Sequence, residues 1–168
     1  AFHGSMLRND LYNFSRIGIF IERADNTSRI LDVKYYVLLP SVSQVGSTLD
    51  NMQWESILRS VSAHRSYGWV YDGDYQSANI ADFVILQGRM PRSLAYCYEK
   101  IVSNLGYLAE DYGERIKAHD TADAIRKTLK HCSVAEIMDQ GLHEFLEDFV
   151  ARNSQLSAEI SDGYRFYQ

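Results

Sequence analysis

The densest chemistry in the chain is the run Ile21-Glu22-Arg23-Ala24-Asp25-Asn26-Thr27-Ser28-Arg29, which holds two carboxylates, two guanidiniums and three neutral hydrogen-bonding side chains. At helical spacing Ser15, Glu22, Asn26, Arg29 and Val33 share one stripe, and Arg16 and Arg23, seven apart, share the adjoining one. Asp25 and Arg29 form an i,i+4 pair with the acid first, the favourable order. If this stripe faces other helices, Glu22 and Arg29 lose water and need partners. Arg23 or Arg29 could then grip a substrate carboxylate or phosphate through two parallel hydrogen bonds. A solvated face or a structural ion-pair network is the plainer alternative. We expect the ionic belt to be enclosed by neighbouring helices, with Arg16, Glu22, Arg23, Asn26, Arg29, Arg92 and His143 as the candidate ligand-binding cluster.

Other residues are set against this cluster. Glu136, Asp139, His143 and Glu147 follow at three or four residues and would project from one side of a helix, as metal ligands do. The detail is wrong for a metal: Gln140 stands where a Glu-x-x-His pair needs glutamate, and His143-Glu144-Phe145-Leu146-Glu147 lacks a second histidine. No metal is expected. Glu22 and His143 could act as an acid-base pair if their helices pack side by side. Arg92, following Pro91 at a helix start, sits where the helix dipole disfavours cations, so a bound anion, an acidic partner or simple solvation would account for it. Neither Cys97 nor Cys132 carries the marks of an activated nucleophile, and no glycine-rich loop forms a phosphate cradle, so no cofactor is expected.

The elements that must position these groups read as helices. Leu7, Leu11, Phe14, Gly18, Ile21, Ser28, Leu31, Tyr35 and Leu38 give a first helix over 6–39 its inward stripe, widened by Ile17, Phe20 and Ala24. Such a helix is about 50 Å long at ~1.5 Å per residue. Pro40 ends it and a loop follows over 41–48. A second helix, N-capped by Asp50, carries Trp54, Ile57, Leu58 and Val61 inward and continues with a kink to 70. A turn at 71–74 leads to a third over 77–86, closed by Gly88. The fourth opens at Met90-Pro91-Arg92-Ser93 and ends at Gly113, with Leu94, Tyr98, Ile101, Leu105 and Leu108 inward. A fifth spans 121–131. Ser133 and Glu136 form a capping box for a sixth over 134–164, with Ile137, Leu142, Phe145, Phe149, Leu156 and Ile160 inward. This is an all-α protein, a bundle of about six helices framed by the long first, fourth and sixth.

Length and composition bound the partners. A chain of 168 residues suits a single domain over 1–168 and can bury roughly 70% of its unfolded surface. A net charge of −5 gives no long-range pull on a phosphate backbone, so no nucleic-acid partner is expected. No apolar run is long enough for a membrane span, and two unpaired cysteines suit a reducing, cytoplasmic setting. Twelve tyrosines exceed what a small core usually takes; surface aromatics favour protein contacts, a homo-oligomer included, and core filling with hydroxyls that reach water is the equal alternative. Residue 1 is alanine and the chain opens as if within continuing structure, so a fragment of a longer protein or a processed product is expected.

The segment from Ser15 to Tyr35, with its Ile21-Glu22-Arg23-Ala24 centre, resembles the signature of the bacterial Alpha-E proteins. Residues 54–62, the Met90-Pro91-Arg92-Ser93-Leu94 helix start and Gln140-Gly141-Leu142-His143-Glu144-Phe145-Leu146 are similar to their later part. The resemblance implies a helical protein lacking its N-terminal half, from a family with no established activity. Its members are encoded beside circularly permuted ATP-grasp and transglutaminase-like proteins. It therefore implies a binding or scaffold module, non-catalytic by itself, in a system that forms peptide or amide bonds. Partners would be an ATP-grasp or transglutaminase-like protein, the absent half, or a peptide. An enzyme with a polar pocket on the first and last helices, and a carboxylate-histidine metal bundle, are the alternatives.

Overall fold

The structure, a computed structural model, describes residues 9–36 and 45–165, Tyr35 and Tyr36 in backbone only. Regular structure there is entirely helical. The elements are α1 (Asp10–Tyr36), α2 (Thr48–Ser60), α3 (His64–Tyr71), α4 (Ser77–Ala81) running into a π-helical turn (Asp82–Leu86), α5 (Leu94–Tyr112), α6 (Lys117–His131), α7 (Val134–Gln140) and α8 (Leu142–Gly163). The all-α expectation holds. The expected ends of the first helix, the inward positions Leu7 and Leu38, Pro40 and residues 41–44 of the loop after it lie outside the described residues, as does the side chain of Tyr35.

Two expected helices are each divided. The second breaks at 61–63, where Ser62 adopts φ +55°. The sixth breaks at Gly141, whose φ of +106° is readily adopted by glycine and whose added Cβ would meet the Glu144 carboxylate. α6 starts four residues earlier than expected because buried His119 caps it: the Ile116 N–H donates to His119 Nδ1 at 3.0 Å, and His119 Nε2 lies 2.8 Å from the Leu105 carbonyl oxygen.

Caps correct two further placements. Ser47, not Asp50, caps α2, accepting from the Asp50 N–H at 3.2 Å. Ser93 caps α5, accepting from the Tyr96 N–H at 3.0 Å, so Arg92 lies outside the helix rather than in its first turn. Gly88 has no positive φ, whereas Gly113, at φ +73°, ends α5 as expected. The Ser133–Glu136 capping box is present.

Four helices close a ring in which α1 and α6 each contact both α5 and α8. Neighbours run antiparallel: Tyr112 at the end of α5 and Tyr164 just beyond α8 meet Asp10 and Phe14 at the start of α1, and Lys117 opening α6 pairs with Glu159 late in α8. The short link over 113–116 suits such a pair. Ile17, Phe20, Ala24 and Leu31 of α1 meet Leu94, Tyr98, Ile101, Leu105 and Leu108 of α5 and Phe145, Phe149, Leu156 and Ile160 of α8 in one core. Each buried aliphatic or phenylalanine side chain contributes about 1.5–3 kcal/mol. The inward stripe of α1 is partly corrected: Ser28 and Leu31 are buried as expected and the widening residues Ile17, Phe20 and Ala24 complete the seam, while Leu11 is 60% exposed and Gly18 faces water.

Candidate functional site

The expected enclosure of the ionic belt does not occur. With its seam turned between α5 and α8, α1 leaves the opposite arc outside, and Glu22, Asn26 and Arg29 are exposed. Arg29 Nε pairs with Asp25 Oδ2 at 2.7 Å while its side chain stays 62% exposed. Glu22, Asp25 and Arg29 do line a shallow groove of about 390 Å³ with Asn153, Ser154 and Ser157 of α8.

Arg23 lies on the adjoining arc and makes different contacts. Its Nη1 donates to the Pro91 carbonyl at 3.0 Å, and its guanidinium sits 5.0 Å from the Phe20 ring centroid. Thr27 Oγ1, one turn on, donates to the Arg92 carbonyl at 2.9 Å. The turn before α5 is thus held by two α1 side chains through its main chain, and Ser93 Oγ closes it on the Gln87 carbonyl at 2.6 Å. The Arg16 guanidinium lies 4.5 Å from the Phe20 ring centroid, Tyr96 stands 6.0 Å from that ring, and the Lys100 ammonium lies 5.1 Å from the Tyr96 ring. A cationic strip of Arg16, Arg23, Arg92 and Lys100 therefore follows the α1–α5 seam. Among the described residues no carboxylate comes within 4.0 Å of Arg23, Arg92 or Lys100.

His143 belongs to neither group. Its Nδ1 meets Asp32 Oδ1 at 2.9 Å, and Nε2 lies 3.9 Å from Glu147. The hydrogen bond to Asp32 outweighs partial burial and holds the imidazole above its ordinary pKa. The carboxylate facing it is Asp32, not Glu22, which is ten residues or about 15 Å away along α1. The seven candidate residues therefore separate: Glu22 and Arg29 line the outer groove, Asn26 is exposed without lining it, Arg16, Arg23 and Arg92 belong to the cationic strip, and His143 pairs with Asp32. The four-residue acidic stripe is interrupted as well: Gly141 parts Glu136 and Asp139 from His143 and Glu147, and Glu136 is taken up by Ser133. Among the described residues no three His, Cys, Asp or Glu side chains are grouped to hold a metal.

Cys97 is fully buried, and burial pushes its thiol up to about 12 although Arg23 and Arg92 pull the other way. Cys132 is half-buried, and both cysteines are free. Neither is an activated nucleophile.

Several groups were not singled out by spacing. Lys34 and Asp50 are buried at 5% and 6% side-chain exposure and pair at 2.5 Å. Lys34 also donates to Gln53 Oε1 and lies 5.0 Å from the Trp54 ring. Burial pushes the Asp50 carboxyl up, but hydrogen bonds from Lys34 and the Gly46 N–H bring it below its usual value. A depression of about 490 Å³ between the π-helical turn, α5 and the α6–α7 link is lined by Asp82, Glu99, Arg126 and Lys130. Trp69 is 84% exposed beside another depression that includes Arg89 and Pro91.

The ring of antiparallel helices defines an all-α bundle protein, and among the described residues no helix is long and apolar enough to cross a membrane. Residues 1–164 match the family model Alpha-E, "a predicted alpha-helical domain with a conserved ER motif", and the chain belongs to that family. No curated protein and no solved structure matches it. Glu-Arg occurs as Glu22-Arg23 and as Glu114-Arg115; the first lies on α1 within the segment described above.

Proposed function

We propose that this chain is a non-catalytic helical binding module of a bacterial cytoplasmic system in which an ATP-grasp protein makes peptide or amide bonds. The observation that carries this reading is the use of Arg23: it holds a main-chain carbonyl of the turn before α5, on a surface where Arg16, Arg92 and Lys100 are also gathered. A surface of this kind suits an anionic group on a protein or peptide. The ATP-grasp association comes from the family's gene company.

Mixing the chain with the ATP-grasp protein encoded beside it tests the reading. Calorimetry at low salt should show a complex that weakens at high salt and loses about tenfold affinity with Arg16→Glu plus Arg92→Glu. Failure to associate at any ionic strength overturns it. The enzyme alternative has one observation in its favour, an imidazole oriented by Asp32. Turnover of a peptide or amide that His143→Ala abolishes would establish that alternative instead.

A further inference from the structure

We infer that the groove between α3 and the turn before α5 docks a partner segment that is acidic and carries one bulky apolar side chain. This rests on the binding-module reading and names the chemistry of what is bound. Tyr67 is buried at 0% on α3, so Trp69, two residues on and about 200° around the helix, points away from the core. The helix carrying it is pinned: the Tyr67 hydroxyl donates to the Asp74 carbonyl, and the Tyr71 hydroxyl donates to Asp82 Oδ2 at 2.5 Å. Trp69 at 84% exposure and Val70 at 51% are thus presented rigidly to water. An exposed, preorganised tryptophan is the kind of anchor that dominates binding energy when covered.

Beside Trp69 lies a depression of about 250 Å³ walled by Val70, Phe83, Met90, Pro91 and Arg89. It is smaller than the roughly 300–1,000 Å³ typical of small-ligand sites and suits one inserted side chain. Charge selects the rest of the occupant. The depression's lining holds one cation, Arg89, and no Asp or Glu, and Arg92 follows Pro91 directly, in a chain whose net charge is −5; Arg65 and Asp72 line a separate depression that also reaches Trp69. Arg23, bonded to the Pro91 carbonyl, brings a further cation to the same turn. Among the described residues, Arg23, Arg65, Arg89 and Arg92 have no carboxylate within 4.0 Å. A largely apolar notch with Arg89 in its wall, Arg23 and Arg92 at the adjoining turn and no Asp or Glu in its lining is complementary to glutamates or aspartates flanking a leucine or phenylalanine.

The probe is an acetylated, amidated, tryptophan-free peptide in which glutamates flank a Leu-Phe pair, titrated at low salt by calorimetry and tryptophan emission. Trp54, at 5% exposure, supplies a steady background. Saturable binding with a blue shift of the Trp69 emission is expected. Replacing every glutamate by glutamine, or Leu-Phe by serines, should each weaken binding about tenfold or more. By calorimetry Trp69→Ala should cost about thirtyfold and Arg89→Glu about tenfold. Both side chains are exposed, so their loss leaves the core untouched.

Equal binding of the glutamine peptide, or no saturable binding at low salt, overturns the inference. So does self-association that Trp69→Ala abolishes, which would make the occupant a second copy. If Trp69→Ala leaves the ATP-grasp complex intact while the Arg16 and Arg92 reversals break it, the inference fails and the binding-module reading stands. If the peptide binds and the ATP-grasp protein does not, the groove stands and that reading falls.

Discussion

The Tyr98 hydroxyl donates to Asn153 Oδ1 at 2.7 Å across the diagonal of the bundle, and Asn153 Nδ2 donates onward to the Ile21 carbonyl at 3.1 Å. Three helices meet in this chain of bonds, one residue before the Glu22-Arg23 pair. Tyr98 and Asn153 are 0% and 1% exposed, so neither can turn to water. Tyr98→Phe leaves the Asn153 oxygen dry and should cost about 1–3 kcal/mol by denaturant titration. Adding Asn153→Leu to it should recover part of that loss, because the stranded acceptor is gone. A neutral Tyr98→Phe would mean the bond contributes nothing.

Lys34 and Asp50 join the end of α1 to the start of α2 out of contact with water. Lys34→Met strands a buried carboxylate and should cost about 3–5 kcal/mol, most of it recovered in the Lys34→Met, Asp50→Leu pair. The pH dependence has a definite sign. Because the folded state holds Asp50 below its ordinary value, its stabilisation is present above the unfolded carboxyl's pKa of about 4 and is lost as pH falls through the lower folded value. Acid titration of the melting temperature should show a limb there that the double variant lacks.

For His143 the sign is reversed. Its folded pKa is raised by Asp32, so the pair's stabilisation is complete below the unfolded histidine's value of about 6.5 and is lost as pH rises through the folded one. The melting temperature of the native chain, relative to Asp32→Asn, should therefore fall between acidic and alkaline buffer. A difference that does not change with pH would deny the charged pair.

The two arcs of α1 should respond differently to alanine. Glu22→Ala and Asn26→Ala remove exposed side chains and should shift stability by less than about 0.5 kcal/mol. Arg23→Ala removes a charged donor from the Pro91 carbonyl and a cation from Phe20, and should cost about 1–2 kcal/mol. Amide exchange at Ser93, which donates to the Met90 carbonyl, should quicken with it.

Helix type was legible because inward residues recur with a helical period; Leu94, Tyr98, Ile101, Leu105 and Leu108 are all buried as their spacing requires. Register on α1 was not, because its core side includes Asn13, Thr27, Ser28 and Lys34. Polar residues there erase the contrast between faces, and steps of three and four fit two overlapping stripes. Gly141 was unreadable as a break because the apolar rhythm resumes beyond it at Leu142 and Phe145. The Lys34–Asp50 pair joins residues sixteen apart on two different helices, which no helical spacing encodes. Arg23 was identified as a candidate, but a carbonyl partner leaves no side-chain pattern to find: its link to Pro91 spans 68 positions.

That link has a consequence for how the surface could diversify. Arg23 and Thr27 both fasten the turn by peptide oxygens, which every amino acid supplies alike. The fastening is therefore indifferent to what residues 91 and 92 display outward. Their side chains could be exchanged to suit another recipient while the anchoring remained, giving one rigid frame an interchangeable recognition edge.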